Sequence, residues 1–377
     1  MSNLRIGFIT CDLSTRHGWA QYSLNLVRAL RAAGVNMTVV AARNSPLVEG
    51  VEVHPILPTL APRPRALPLR LLLKTVQAHL LLADCDIIHC TVETYAPLAA
   101  AIAGKRPLFI TGHGSYVNLP RISRWPLNEL YRRAFRRSTM ICVSRYTAKI
   151  AQQVTPGLQT VVVNNGVEAE RFKLVARINS PSLSMGRGSG GGVIFSVGAV
   201  KRRKGTLELV RAMPIVRQEF PAVQCIIAGS LTAEPGYAQQ VQSAVSDLQL
   251  DGCVRLLGHV SDDELMDWYS KADVFALPSM NDGWKFEGYG LVHLEASAAG
   301  LPVIGTGDCG AEDAIDDGLT GLLVPQAEIA EKLPQAIIGL LHAPQLAAQM
   351  GAAGREKALK QTWQQVAEQV LDVYGNS

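Results

Sequence analysis

The chain has 377 residues, 48% of them hydrophobic and 18% charged, with a net charge of +4. That composition excludes a disordered chain and suits buried sheets in about two domains. The seven cysteines are scattered, odd in number and without a Cys-x-x-Cys pair, so they indicate neither a disulfide framework nor a zinc site. No signal peptide precedes the first strand-like run, Leu4 to Thr10, and the longest apolar run, Ala66 to Leu82, is broken by Pro68, Arg70, Lys74, Gln77 and His79. A reduced, cytoplasmic protein without a membrane span is therefore expected. The charge is uneven: residues 1–175 hold 21 Lys/Arg against 9 Asp/Glu, which leaves the remainder acidic. A basic first half points to an anionic partner, either a phosphate-bearing acceptor or anionic lipid headgroups. Nucleic acid is not expected, because the basic residues fall in no nucleic-acid motif.

In chain order, residues 4–10 and 36–43 are strand-like and flank a helical pattern, Ala20 to Ala33, with Leu24, Leu26, Val27 and Leu30 on one side. A strand, helix and strand of these lengths form a βαβ unit with parallel pairing. The alternation continues through Ile87–Cys90, an Ala-rich helix and Pro107–Thr111, then Met140–Val143, a helix and Thr160–Val163. It stops at the Ser/Gly/Pro-rich stretch Asn179 to Gly192, which is predicted to be a linker. A second series runs through Gly192–Val197, a helix from Thr206, Val223–Ala228, a helix, Val254–Leu257, a helix near Asp263, Val274–Leu277, a further helix and Pro302–Gly305. The expected fold class is α/β, with two doubly wound domains facing across a cleft, at residues 1–176 and 193–360. Residues 177–192 are predicted to link them, and a terminal helix in 361–377 to pack across both.

The segment Glu287-Gly-Tyr-Gly-Leu-Val-His-Leu-Glu295-Ala-Ser-Ala-Ala-Gly-Leu-Pro302 carries the chemistry. Two carboxylates lie eight positions apart, the first in a Gly-rich turn and the second inside the helix that the turn opens. The first N–H groups of a helix lack internal partners and the helix dipole favours an anion there, so such a turn can dock a phosphate. A diphosphate at the helix start could have a sugar near Glu287 and a ribose near Glu295. That arrangement suits a nucleotide-sugar site.

With these residues in place the chain resembles the retaining glycosyltransferases of family 4, with the GT-B fold, along nearly its whole length. Besides Glu287–Pro302, the resemblance rests on Gly310–Ile315, Asp317–Pro325, Ser196–Gly205, Leu257–Ser261, Ala272–Ser279, Val143–Thr147 and Asn165–Val167. It implies a C-terminal domain that holds a nucleoside-diphosphate sugar and an N-terminal domain that selects a glycan or glycolipid acceptor. By the same resemblance Glu287 contacts sugar hydroxyls and Glu295 the ribose. Gly288, Tyr289, Gly290 and Leu291 offer backbone N–H groups to the diphosphate, and Lys204 binds phosphate, while His259 reads either as a base-side contact or as a plain loop residue. His113, in Thr111-Gly-His-Gly114, would touch the donor sugar, and Gly18 lies in the loop that approaches phosphates and acceptor. Two departures stand out. Ala199 occupies a position where many relatives carry Arg, leaving Lys201 or Arg203 to supply the second cation. The usual Gly-Gly of the first loop is reduced to His17-Gly18-Trp19.

The resemblance implies that no metal or other cofactor is needed, so cationic side chains must stabilise the departing diphosphate. The reaction it implies is a front-face displacement with retention, in which the leaving phosphate oxygen takes the acceptor's proton. A nucleotide-sugar 2-epimerase of the same architecture and an inactive nucleotide-sugar-binding module are the alternatives. A dinucleotide dehydrogenase is not, since the first turn, Thr10 to Gly18, lacks Gly-x-Gly-x-x-Gly. His293 reads as packed or surface, and Glu312 as the acidic position after a Gly loop or a plain surface residue. Arg63, Arg65, Arg70 and Lys74, and Arg121, Arg124, Arg132, Arg133, Arg136 and Arg137 around Trp125, suit either peripheral contact with an anionic membrane or a solvated basic face.

Overall fold

The computed structural model describes residues 4–60, 69–172 and 191–376. The expected linker, apart from Gly191 and Gly192, lies outside the described residues, as do Arg63 and Arg65. The chain divides into two compact units, Met1–Gly166 with Trp363–Ser377, and Val167–Thr362.

The first unit alternates strands and helices: β1 (Arg5–Ile9), α1 (Gly18–Ala32), β2 (Asn36–Ala42), β3 (Glu52–Leu57), α2 (Leu69–Leu81), β4 (Ile87–Cys90), α3 (Ala96–Ala103), β5 (Leu108–Gly112), α4 (Leu119–Ile122), α5 (Leu127–Arg137), β6 (Thr139–Cys142), α6 (Arg145–Val154) and β7 (Gln159–Val162). The strands pair in parallel in the order β3-β2-β1-β4-β5-β6-β7. Ile6, Phe8 and Ile9 on β1 and Ile88 and Cys90 on β4 are fully buried, the signature of a sheet covered on both faces. Two helices start on side-chain caps: His17 accepts the N–H of Ala20, and Ser144 that of Thr147.

The second unit repeats the plan with β8 (Val193–Val197), α7 (Thr206–Glu219), β9 (Gln224–Ala228), α8 (Pro235–Asp247), β10 (Val254–Gly258), α9 (Asp262–Lys271), β11 (Val274–Ala276), α10 (Leu291–Ala298), β12 (Val303–Thr306), α11 (Ala311–Ala314), β13 (Gly321–Val324), α12 (Ile329–His342) and α13 (Pro344–Leu359). Its sheet is also parallel, in the order β10-β9-β8-β11-β12-β13. A full capping box, Ser261 with Glu264, opens α9.

The last helix, α14 (Trp363–Gly375), belongs to the first unit and packs on α1. The Tyr374 hydroxyl lies 2.6 Å from His89 Nδ1 on β4, the His89 Nε2 lies 2.8 Å from Thr111 Oγ1, and Trp363 meets Tyr22 edge-on at 5.5 Å.

In each sheet the strand order reverses once, between β1 and β4 and between β8 and β11. Doubly wound sheets bind ligands outside the carboxyl ends of the strands at such a reversal. The loops that leave β8 and β11, and those that leave β1 and β4, are therefore where a site is expected.

Candidate active site

In the second unit, the loop leaving β8 is pressed against the exit of β11. Gly205, with φ +64°, makes this possible: a Cβ there would sit 1.7 Å from the Pro278 carbonyl oxygen. The Arg203 carbonyl accepts the N–H of Met280 at 2.9 Å, which ties the two loops together. The short turn Arg202–Lys204 then carries two cations onto Glu287, which is only 7% exposed. Glu287 Oε2 accepts from Lys204 Nζ at 2.5 Å, from Arg203 Nη1 at 2.9 Å and from Ser279 Oγ at 3.2 Å. Burial opposes the charge on Glu287, but Lys204 and Arg203 outweigh it and hold the carboxyl well below the usual carboxylate range. Burial also lowers the Lys204 ammonium, and Glu287 counters that. The depressed carboxyl governs the pair, because it faces two cations and a hydroxyl at once.

The turn after Glu287 is built around Gly290, the N-cap of α10, at φ +77°. A Cβ there would lie 2.4 Å from His293 Nδ1, and no side chain among the described residues caps the helix. The helix start at Leu291 presents its positive dipole end, and of its first N–H groups that of His293 donates to the Gly290 carbonyl at 2.8 Å. Glu287 and Tyr289 are buried, and the Tyr289 hydroxyl accepts from Gln361 Nε2 at 2.6 Å. The Glu287 carbonyl accepts the N–H of Gly310 at 2.8 Å. His293 is wholly buried, its ring nitrogens 3.2 Å from the Gly290 carbonyl and 3.3 Å from the Leu277 carbonyl. A neutral imidazole donates to only one of these. Burial pushes its pKa down to about 4, against the pull of Glu287.

The structure thus brings Glu287, Lys204 and Arg203 together beside Gly288–Leu291. Glu295 stands further along α10, half-buried, and accepts from the Tyr269 hydroxyl at 3.4 Å. Of the two cations left open by Ala199, Arg203 reaches Glu287. Lys201 makes no ion pair among the described residues and feels Arg203, Glu234 and Lys285 instead. His259 is exposed after β10, the edge strand, and makes no hydrogen bond or ion pair with the Glu287 group among the described residues. Glu312 is structural in part, its Oε1 accepting the N–H of Asp308 at 2.7 Å. His293 is the packed rather than the surface residue. Sequence reasoning missed Ser279 as a partner of Glu287; its place directly after the β11 exit was the available signal.

In the first unit, His113 follows β5 and is half-buried. Its Nε2 donates to the Thr91 carbonyl at 2.7 Å, which fixes the tautomer, and its backbone N–H donates to Glu93 Oε1 at 2.7 Å. Tyr22 meets the ring edge-on at 4.6 Å and Trp19 lies at 6.4 Å. Burial pushes the imidazole down to about 4, so the ring is neutral at neutral pH. Gly18 is the exposed first residue of α1, and a Cβ there would meet nothing within 4 Å, so packing inside the protein does not demand a glycine. Glu93 carried no signal in the sequence.

Two parallel doubly wound sheets, one in each unit, fit the GT-B class of glycosyltransferases. Two family models match: glycosyl transferases group 1 over residues 185–357 and glycosyltransferase family 4 over residues 17–171. The chain is 32% identical to a GDP-mannose-dependent alpha-(1-6)-phosphatidylinositol monomannoside mannosyltransferase of Mycolicibacterium smegmatis, over 75% of each chain. It is 28% identical to an alpha-maltose-1-phosphate synthase of Mycobacterium tuberculosis, over 91% of this chain and 94% of that one. Among solved structures, Anabaena HepE in complex with UDP and glucose superposes with a TM-score of 0.78 over 100% of both chains at 18% identity, which speaks to the fold alone. The chain belongs to the family 4 glycosyltransferases.

Proposed function

We propose that the protein transfers a hexose from a nucleoside-diphosphate sugar, UDP- or GDP-linked, to a hydroxyl of a cell-surface glycan or glycolipid, with retention at the anomeric carbon. The observation that carries this reading is the buried Glu287 held by Lys204 and Arg203 beside the uncapped start of α10. An anion docks at such a helix start, and the two cations are placed to share their charge with it. In the proposed reaction the bond from the anomeric carbon to the phosphate oxygen breaks as the acceptor oxygen forms its own bond on the same face. The acceptor's proton passes to the leaving phosphate oxygen. Lys204 and Arg203 stabilise the charge that develops on the diphosphate, Glu287 positions the sugar, Glu295 takes the ribose, and His113 serves the sugar end. This assigns charge neutralisation to side chains, and turnover is expected to persist in EDTA.

GDP-mannose is the first donor to test, because the relative at 32% identity is named for it. A lipid-linked acceptor is supported by the surface of the first unit. On α2, Leu73, Val76 and Leu80 are 71%, 64% and 70% exposed at helical spacing. Trp125 is 82% exposed, and Arg121, Arg124, Arg133 and Arg136 on the same stretch of chain are also exposed. Apolar side chains among exposed cations suit an anionic bilayer surface. No helix among the described residues is long and apolar enough to cross a membrane. Co-sedimentation with anionic liposomes is expected, weakening with salt; binding indifferent to lipid charge would end the membrane reading.

The functional test is product analysis with UDP- and GDP-sugars. Nucleotide release that requires an acceptor, with an α-linked product from an α-linked donor, is the expected result. An isomerised, intact nucleotide-sugar would show a 2-epimerase. Affinity without turnover over a broad acceptor panel would show a binding module.

A further inference from the structure

Glu93 is a wholly buried carboxyl that the proposed chemistry does not use. It opens the short helical turn Glu93–Tyr95 after β4, at the reversal point of the first sheet. Its Oε1 accepts the backbone N–H of His113, while its Oε2 is buried with no hydrogen-bond partner among the described residues. Two residues earlier, Thr91 accepts from the His113 ring. The exit of β4 therefore holds His113 at both its backbone and its imidazole.

We propose that Glu93 is a positioning residue for transfer, whose carboxyl fixes the His113 loop and through it the direction of the imidazole. This rests on the reading that His113 serves the donor sugar.

The surroundings explain why the carboxyl is neutral. Cys11 after β1, Cys90 on β4, Cys142 on β6, Tyr131 on α5 and His113 itself face it. Burial raises the thiols and the phenol and lowers the imidazole, so all are uncharged at neutral pH. With no cation among the described residues to offset it, burial pushes Glu93 up to about 8, although backbone N–H groups, that of His113 among them, pull the other way. The protonated acid keeps a carbonyl oxygen for His113. The ionised form places an uncompensated charge beneath the loop.

The experiment compares wild type, Glu93→Gln and Glu93→Ala. Glu93→Gln keeps the shape and the accepting oxygen and never ionises. Its kcat at pH 7 should stay within about threefold of wild type, while the fall in wild-type kcat above about pH 8 should disappear. Glu93→Ala, its fold checked by thermal melting, should lose about 100-fold in kcat with little change in donor KM, as misplacement of a reacting group does. A wild-type alkaline limb retained in Glu93→Gln, or full kcat in Glu93→Ala, would overturn the proposal. A separate readout needs no turnover: the His113 backbone amide resonance should titrate near pH 8 in wild type and not in Glu93→Gln. An amide indifferent to pH in wild type would also overturn it. The reading of His113 fails differently, through a His113→Ala variant that turns over normally.

Discussion

At the scale of single residues, the most consequential contact is Glu287 with Lys204 and Arg203. Taking two charges out of water is costly, and the pair is retained where hydrogen bonds and a second cation offset that cost. Ser279 adds the hydrogen bond and Arg203 the cation. Lys204→Met keeps an aliphatic stem and leaves Arg203 on the carboxylate. In steady-state assays it should lower kcat by roughly 100- to 1000-fold, the usual effect of deleting one donor that stabilises developing charge. Its melting temperature should change far less than its turnover. Turnover within about threefold of wild type would remove Lys204 from the site. The Glu287 motif and Lys204 were legible in the sequence because they sit in contiguous blocks. That Arg203 rather than Lys201 pairs with Glu287 was not, since both occupy one basic run.

At the scale of elements, both βα series were readable because buried parallel strands are short, nearly continuous apolar runs between helical patterns. Two strands escaped, β3 and β13, and each is the edge of its sheet. An edge strand pairs on one side only and tolerates residues that hide it. β3 carries Pro55 and is mostly half-buried, and β13 is four residues long and opens on Gly321. The junction of Gly290 with α10 is the element on which the proposed phosphate binding depends. Gly290→Ala puts a side chain at a positive φ and against the His293 ring. The strain should cost roughly 1–3 kcal/mol in urea unfolding. It should also weaken GDP or UDP binding by at least about tenfold in calorimetry, as the helix start is re-aimed. Unchanged nucleotide affinity would show that the junction does not hold the diphosphate.

At the scale of the whole molecule, buried titratable groups set a pH window. Burial holds His89 at about 3 and His113 and His293 at about 4. Each lies below its unfolded value of 6.5, so the unfolded chain binds more protons in between. Their contribution is complete above pH 6.5 and is lost as the pH falls, by about 1.4 kcal/mol per pH unit for each proton. Glu93 runs the other way: its folded value of about 8 exceeds the unfolded 4.5, so its contribution is lost as the pH rises between them. Three histidines against one carboxyl place the best stability near pH 6.5. Melting temperatures measured from pH 4.5 to 8.5 should peak there and fall faster on the acid side. A flat profile from pH 5 to 6.5 would show that these histidines are not held neutral by the fold.

The most direct test is a crystal structure with GDP or UDP bound. The diphosphate should lie on the backbone N–H groups at the start of α10, within hydrogen-bonding reach of Lys204 or Arg203, with the ribose towards Glu295. A nucleotide seated away from the junction of Gly290 with Leu291 would contradict the assignment of this family 4 enzyme's donor site.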